Sequence, residues 1–523
     1  MANVPKRIGF GGAVLFAVGA ILCWFGFPAL INSQLAKSLN LNKDSETRKM
    51  WVKFPDPIDF KVYMFNVTNP QSVQQGATPV VREIGPFFYD EYKEKTALKD
   101  REKDDTVEYN PKVTWFFNSE KSAPLTGDEM VTVPYIPILA AVLVLEKQKP
   151  GMLPLFNKAI RSLYRNPDTL FLTAPARNIL FEGVVINCTV ADFAAKAVCT
   201  AMKQDSGGLE RVGEDIFKFS FFGLKNGSVD PAWFRVDRGV RNVSRLGAMV
   251  ELNGKRRLDT WSGEPCNSLD GTDSTIFPPF MTPDRTVAFS HDLCRSVVAV
   301  YEGRSEYKDV RGYRYTASLG DMSTDPDLKC FCPTPDSCLK RGAFDLTPCT
   351  GAPVVLTLPH MYDTHEEYRN TIIGQTPSQE KHEIYLEVEP VSEAGLPHRR
   401  TTMFLHSTSR KPLSTDAMSP GRQFTLHRPC TLVRQGIDLD DKYLDVLKNT
   451  LFRMMKAMTG VSGAVMGLGA ALGAGGVLLH FKRRSGDVVT PTPPPKNGPT
   501  MVSSVNLPAA TDGGAGSRQQ FYP

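Results

Sequence analysis

The chain has 523 residues, 41% of them hydrophobic and 22% charged, and a formal net charge of +5. That length buries one large core or a few ordinary ones. The charge is mild and forms no block of one sign, so no nucleic-acid partner is expected.

The first element is apolar. Ile8 to Ile31 carries no charge and is rich in Gly, Ala, Val, Leu and Phe, long enough to cross a hydrocarbon core of roughly 30 Å. A secretory leader has a shorter apolar stretch and then a small-residue cleavage site. Here the run continues through Trp24-Phe25-Gly26-Phe27, so residues 8–31 are expected to be an uncleaved transmembrane helix. Lys6-Arg7 precede it, and positive flanks stay on the cytoplasmic side. Residues 1–7 are then a cytoplasmic tail, and the chain beyond residue 32 is lumenal or extracellular. Asn66, in FNVTNP, begins the first acceptor pattern for N-glycosylation. Asn187, Asn226 and Asn242 begin three more, all within 32–458.

Strand signals dominate this segment. Residues 59–65, DFKVYMF, are rich in β-formers and end at the turn Asn69-Pro70. Residues 217–221, 353–358 and 383–388 show the same short apolar runs. Strands without regular intervening helices predict a mainly β, mostly antiparallel architecture. One stretch differs. Between Gly151 and Pro167, Met152, Leu155, Phe156, Ala159, Ile160, Leu163 and Tyr164 recur at helical spacing, with Lys158, Arg161 and Arg165 on the other side. This predicts an amphipathic helix closed by Asn166-Pro167, followed by a second helical stretch from Asp168 to Phe181. Its cations either remain solvated or, beside apolar surface, receive the head groups of amphiphilic anions such as fatty acids.

Eight of the ten cysteines lie between residues 188 and 349. Outside the cell such a cluster means disulfides rather than a metal site. The eight histidines are scattered, and neither G-x-S-x-G nor H-E-x-x-H occurs. No enzyme activity, metal or cofactor is therefore expected. Val461 to Phe481 forms a second uncharged run, followed directly by Lys482-Arg483-Arg484. It is expected to return the chain to the cytoplasm. Its pairs Gly463/Gly467 and Gly469/Gly473 have the small-xxx-small spacing that lets helices approach closely in lipid. Residues 482–523, rich in Pro, Ser and Gly, read as a disordered cytoplasmic tail. That tail has no acidic-dileucine or tyrosine-based sorting pattern, which disfavours a dedicated lysosomal protein.

Several longer motifs resemble the class B scavenger receptors, the superfamily of fatty-acid translocase and lysosomal integral membrane protein. They are FNVTNP at 65–70, EIGPFFYDEYKEK at 83–95, CNSLDGTD at 266–273, DLCRS at 292–296, CFC at 330–332, LPHMY at 358–362 and IYLEVEPVSEAG at 384–395. Within that superfamily, KSAPLTGDE and GTDSTIFPPF look most like insect sensory neuron membrane proteins. The resemblance implies a large antiparallel β-barrel with a helical apex, held by two terminal transmembrane helices and crossed by a hydrophobic tunnel. It implies the disulfides Cys266–Cys330, Cys294–Cys349 and Cys332–Cys338. Cys188 and Cys199 lie outside that set and can pair with each other only if the segment between them turns back. Phe156, Lys158, Arg161 and Arg165 are the candidate ligand-binding residues of the apex, although NPD stands near the place of the family's apical lysine.

The implied role is capture of a lipid ligand at the plasma membrane. For the sensory subfamily that means delivery of lipidic pheromone or odorant to an odorant-receptor complex. A general lipid or lipoprotein scavenger is the alternative, and a lysosomal cargo receptor a third. Residues 409–433 depart from the pattern: the family expects an apolar strand ending in Pro-x-x-Trp, and this stretch is basic and Pro-rich with an odd Cys430. Codons for Leu432-Val433 can contain TGG, so a local frame error in the gene model competes with genuine divergence. An intact transcript frame would exclude the error.

Overall fold

The computed structural model describes residues 4–389, except 165, 166, 168, 205–207, 309, 352 and 353, together with 401–408, 413–414, 423–424, 427–436, 449 and 453–486. The chain forms two compact units, one from Met1–Trp24 with Thr459–Pro523 and one from Phe25–Met458. Two helical stretches, Val4–Ser38 and Lys456–Lys482, are long and apolar enough to cross a membrane.

In the first unit the terminal helices meet at glycines. A Cβ added to Gly12 would stand 2.3 Å from the Gly473 nitrogen, and one on Gly469 would stand 2.4 Å from that of Phe16. One on Gly476 would stand 2.4 Å from the Gly9 nitrogen. Any side chain there separates the backbones, which is why small residues line such contacts. Gly463 and Gly467 face open space instead.

The second unit is built on an antiparallel nine-stranded sheet. Its order runs Met249–Leu252, Phe234–Asp237, Thr106–Phe117, Val81–Arg101, Ile58–Val67, His427–Gly436, Thr401–Thr408, Val354–Thr357, Ala343–Asp345. The Ile58–Val67 strand alternates buried and half-buried positions, sinking Phe60, Val62 and Met64 into one core. A second, four-stranded sheet runs Arg285–Ser290, Arg295–Tyr307, Val310–Ala317, Ile384–Val388. Among the described residues no sheet closes on itself. The large sheet ends on short strands at Leu252 and Ala343, which leave little unpaired edge.

Helices cap one region. Ile136–Gln148, Leu153–Leu163 and Phe193–Gln204 share a cluster in which Ile138, Phe156, Ala159, Leu163 and Ala195 are almost wholly buried. The expected helix over 168–181 forms only in its second half. Phe171–Pro175 is a strand paired with Met130–Pro134, and the chain is helical over 176–182, with Asn178–Glu182 wound as a π-helical turn. The apolar run Phe171-Leu172 finds a partner strand, and Pro175 cannot donate a helical hydrogen bond.

The His427–Gly436 strand lies inside the large sheet, between Ile58–Val67 and Thr401–Thr408. Pro429 sits where its pairing slips, with Leu405 opposite Thr431 but His406 opposite Pro429. An irregular position of this kind is where an interior strand tolerates a residue without an N–H. Residues 409–412, 415–422 and 425–426 of the aberrant stretch lie outside the described residues.

Candidate ligand-binding cavity

The four-stranded sheet has one face of small and apolar side chains. Register places Thr286 opposite Ala299, Ala299 opposite Ala317 and Ala317 opposite Ile384. In the next rows Ala288 faces Val297 and Ser290 faces Arg295. Alternation turns Val298 and Val300 to the opposite side, where they are exposed. Leu319, Leu356 and Leu358 also line the space beside these alanines, a cavity of about 110 Å³. Leu356 belongs to the large sheet, so the space lies between the two sheets.

Tyr315 closes one side. It is fully buried, and its hydroxyl donates to the Thr282 carbonyl at 2.7 Å. Burial, reinforced by Tyr313 and Tyr301, pushes its hydroxyl up to about 12, so it stays neutral. Apolar walls with a few hydroxyls are the usual composition of a small-ligand site.

Arg295 is the only charged side chain among the described lining residues. It is 7% exposed. Its guanidinium carbon lies 4.2 Å from the centre of the Phe331 ring and 4.7 Å from that of Phe344. Neither Nε nor Nη1 has a hydrogen-bond partner among the described residues. Burial pushes this guanidinium down to about 10. A buried charge without a counter-ion costs several kcal/mol. Two ring contacts, worth about 0.5–2 kcal/mol each, offset part of that cost.

The cysteines hold this end in place. Cys266–Cys330, Cys294–Cys349 and Cys332–Cys338 are joined, and all six pack in or against one cluster with Phe331 and Phe344. Cys294 precedes Arg295 in the chain, and its carbonyl accepts from Trp261 Nε1 at 2.6 Å. The CNSLDGTD motif supports the neighbouring strand. Gly271 has φ +84°, and a Cβ there would stand 2.1 Å from the Val287 carbonyl oxygen. Asp273 accepts from Trp51 Nε1 at 3.0 Å and from the Tyr109 hydroxyl at 2.9 Å. Above these rings Lys95 donates to the Trp51 carbonyl at 2.7 Å. Burial pushes its ammonium down to about 8.

The cap holds the other candidates. Lys158 and Arg161 are exposed on the Leu153–Leu163 helix, one turn apart. Phe156 is 2% exposed and sits in the cap's own cluster. Arg165 lies outside the described residues. Cys188 and Cys199 are bonded, tying the Phe193–Gln204 helix to the segment before it. Asn66 and Asn187 are half-buried, while Asn226 and Asn242 are exposed. The cap cations and Arg295 thus occupy different elements. The sequence singled out DLCRS as a motif but not Arg295 as a site residue. Its available signal was an arginine heading an alternation of inward Val297 and Ala299.

The CD36 family model matches residues 10–480. Sensory neuron membrane protein 1 of Apis mellifera is 42% identical over 90% of this chain and 91% of its own length. The proteins of the same name from Pediculus humanus subsp. corporis and Heliothis virescens are 39% and 36% identical. They cover 94% and 97% of this chain and 94% and 99% of their own. With a family match spanning nearly all the chain between two apolar terminal helices, the protein belongs to the CD36 family, the class B scavenger receptors.

Proposed function

We propose that this protein is a non-enzymatic plasma-membrane receptor that captures a lipidic ligand and passes it through the ectodomain toward the bilayer. The cavity between the sheets carries this reading, because its alanine-floored apolar face offers an alkyl chain a dry surface. Each methylene buried there is worth about 0.8 kcal/mol. The cavity forms the constriction of a longer hydrophobic tunnel within a barrel-like ectodomain. Lys158 and Arg161 on the cap, with Arg165, steer anionic head groups toward it.

The relatives named sensory neuron membrane protein 1 support a chemosensory setting. There the ligand is pheromone or odorant, handed to an odorant receptor in the same membrane. Both termini face the cytoplasm, and carbohydrate sits on Asn66, Asn187, Asn226 or Asn242. Cells expressing the full chain should take up a fluorescent long-chain lipid faster than cells expressing Ala299→Phe at equal surface level. Equal uptake refutes the transfer role. Transcript confined to chemosensory cells supports odorant delivery; transcript in haemocytes, gut or fat body supports the scavenger alternative.

A further inference from the structure

Nothing in the apolar character of the cavity requires Arg295. A leucine or methionine would fill the same wall at lower cost, since a buried charge must give up its water. Yet the guanidinium lines the cavity, more than nine-tenths buried, and among the described residues Nε and Nη1 have no partner and no acidic side chain lines the space. The strand register adds a second donor, because Ser290 lies directly opposite Arg295 and also lines the cavity. The position is fixed from behind by Phe331, Phe344 and the Cys294–Cys349 bond. Such a donor pair in the wall of an apolar cavity is complementary to an oxyanion carrying an alkyl chain.

We propose that Arg295, with Ser290, is an internal head-group anchor that makes the cavity select a long-chain carboxylate over a neutral ligand of the same length. The proposal rests on the cavity being the ligand site. It assigns specificity to a residue remote in sequence from the cap, whose cations act during approach. In the complex the carboxylate supplies the counter-charge that the protein withholds, and Arg295 donates to it in a charge-assisted hydrogen bond. The chain methylenes then run over Val297, Ala299 and Ala317. An alcohol, aldehyde or ester gains the same chain burial but leaves the guanidinium uncompensated.

The test uses the full chain in nanodiscs of zwitterionic lipid, with oleate carrying 13C at its carboxyl and oleyl alcohol as the neutral probe. Wild type should bind oleate at least about tenfold more tightly than the alcohol, as a hydrogen bond to a charged group allows. The protein-bound carboxyl resonance should titrate at lower pH than oleate dissolved in the bilayer. Arg295→Met should weaken oleate by about 10- to 100-fold, leave the alcohol within about twofold, and abolish the lowered titration. Arg295→Lys should restore part of the preference. Equal losses for both probes would show that Arg295 only packs against the rings, and no loss for either would equally overturn the proposal. Wild type that binds neither probe refutes the cavity as ligand site, a separate failure. If Arg295→Met does not fold, the wild-type titration still decides, since an unshifted carboxyl excludes a nearby unpaired guanidinium.

Discussion

Ala299→Phe places a ring on the floor of the cavity, on a strand whose Ala299 pairs with both Thr286 and Ala317. The open volume is about 110 Å³, somewhat less than the roughly 150 Å³ that accepts a benzene molecule. It therefore holds about four chain carbons. At about 0.8 kcal/mol per methylene, losing that segment costs roughly 3 kcal/mol, or about 200-fold in affinity. The change affects acids and neutral ligands alike, because it removes space rather than charge. Overpacking stability cost stays small, because the ring enters empty space rather than a filled core. Displacement of a fluorescent lipid by oleate and by oleyl alcohol, with thermal unfolding as a control for folding, measures this. Unchanged affinity for both in a folded variant would show that the ligand lies elsewhere.

Reversing the cap cations, Lys158→Glu with Arg161→Glu, should slow fatty-acid capture more at low salt than at high salt, and a neutral ester should be affected less. Equal rates at low salt would remove these residues from the approach path. Reduction should destabilise the ectodomain: the Cys294–Cys349 and Cys266–Cys330 bonds close sequence separations of 55 and 64, each worth about 4 kcal/mol in the chain-entropy account. Unfolding midpoints with and without reductant test this, and coincident midpoints would contradict it. Lys95, held at about 8 by burial, is charged in both folded and unfolded chains below that pH. Between pH 8 and its unfolded value of about 10.4 the unfolded chain binds more protons, so stability should rise with pH. Lys95→Met should flatten that slope in denaturant titrations, and an unaltered slope would show that other groups set it.

Local pattern made the strands at 58–67, 216–219, 354–357 and 384–388 legible, because alternation and short runs of β-forming residues are both carried by adjacent residues. The amphipathic helix around Phe156 was legible for the same reason. The Ile136–Gln148 helix was not, since its sequence is apolar on nearly every side and carries little periodicity. Phe171–Pro175 looked helical because its partner, Met130–Pro134, is distant in sequence. The cavity was hidden more deeply. It depends on Ala299, Ala317 and Ile384 sharing one row, which only three strand registers together establish. Arg295 gave the ordinary signal of an arginine after a cysteine. Its unpartnered nitrogens follow from the packing of Phe331 and Phe344, more than 30 residues further on.

A ligand held in the space between the two sheets can be located by photolabelling. A long-chain fatty acid bearing a photoreactive diazirine in mid-chain can be bound to the full protein, irradiated and mapped by peptide mass spectrometry. Labels are expected on the inward residues of Arg295–Tyr307 and Ile384–Val388, such as Val297, Ala299 and Leu386, competed by unlabelled fatty acid. Competable labels confined to the cap helices, with none on these strands, would contradict a ligand site between the sheets.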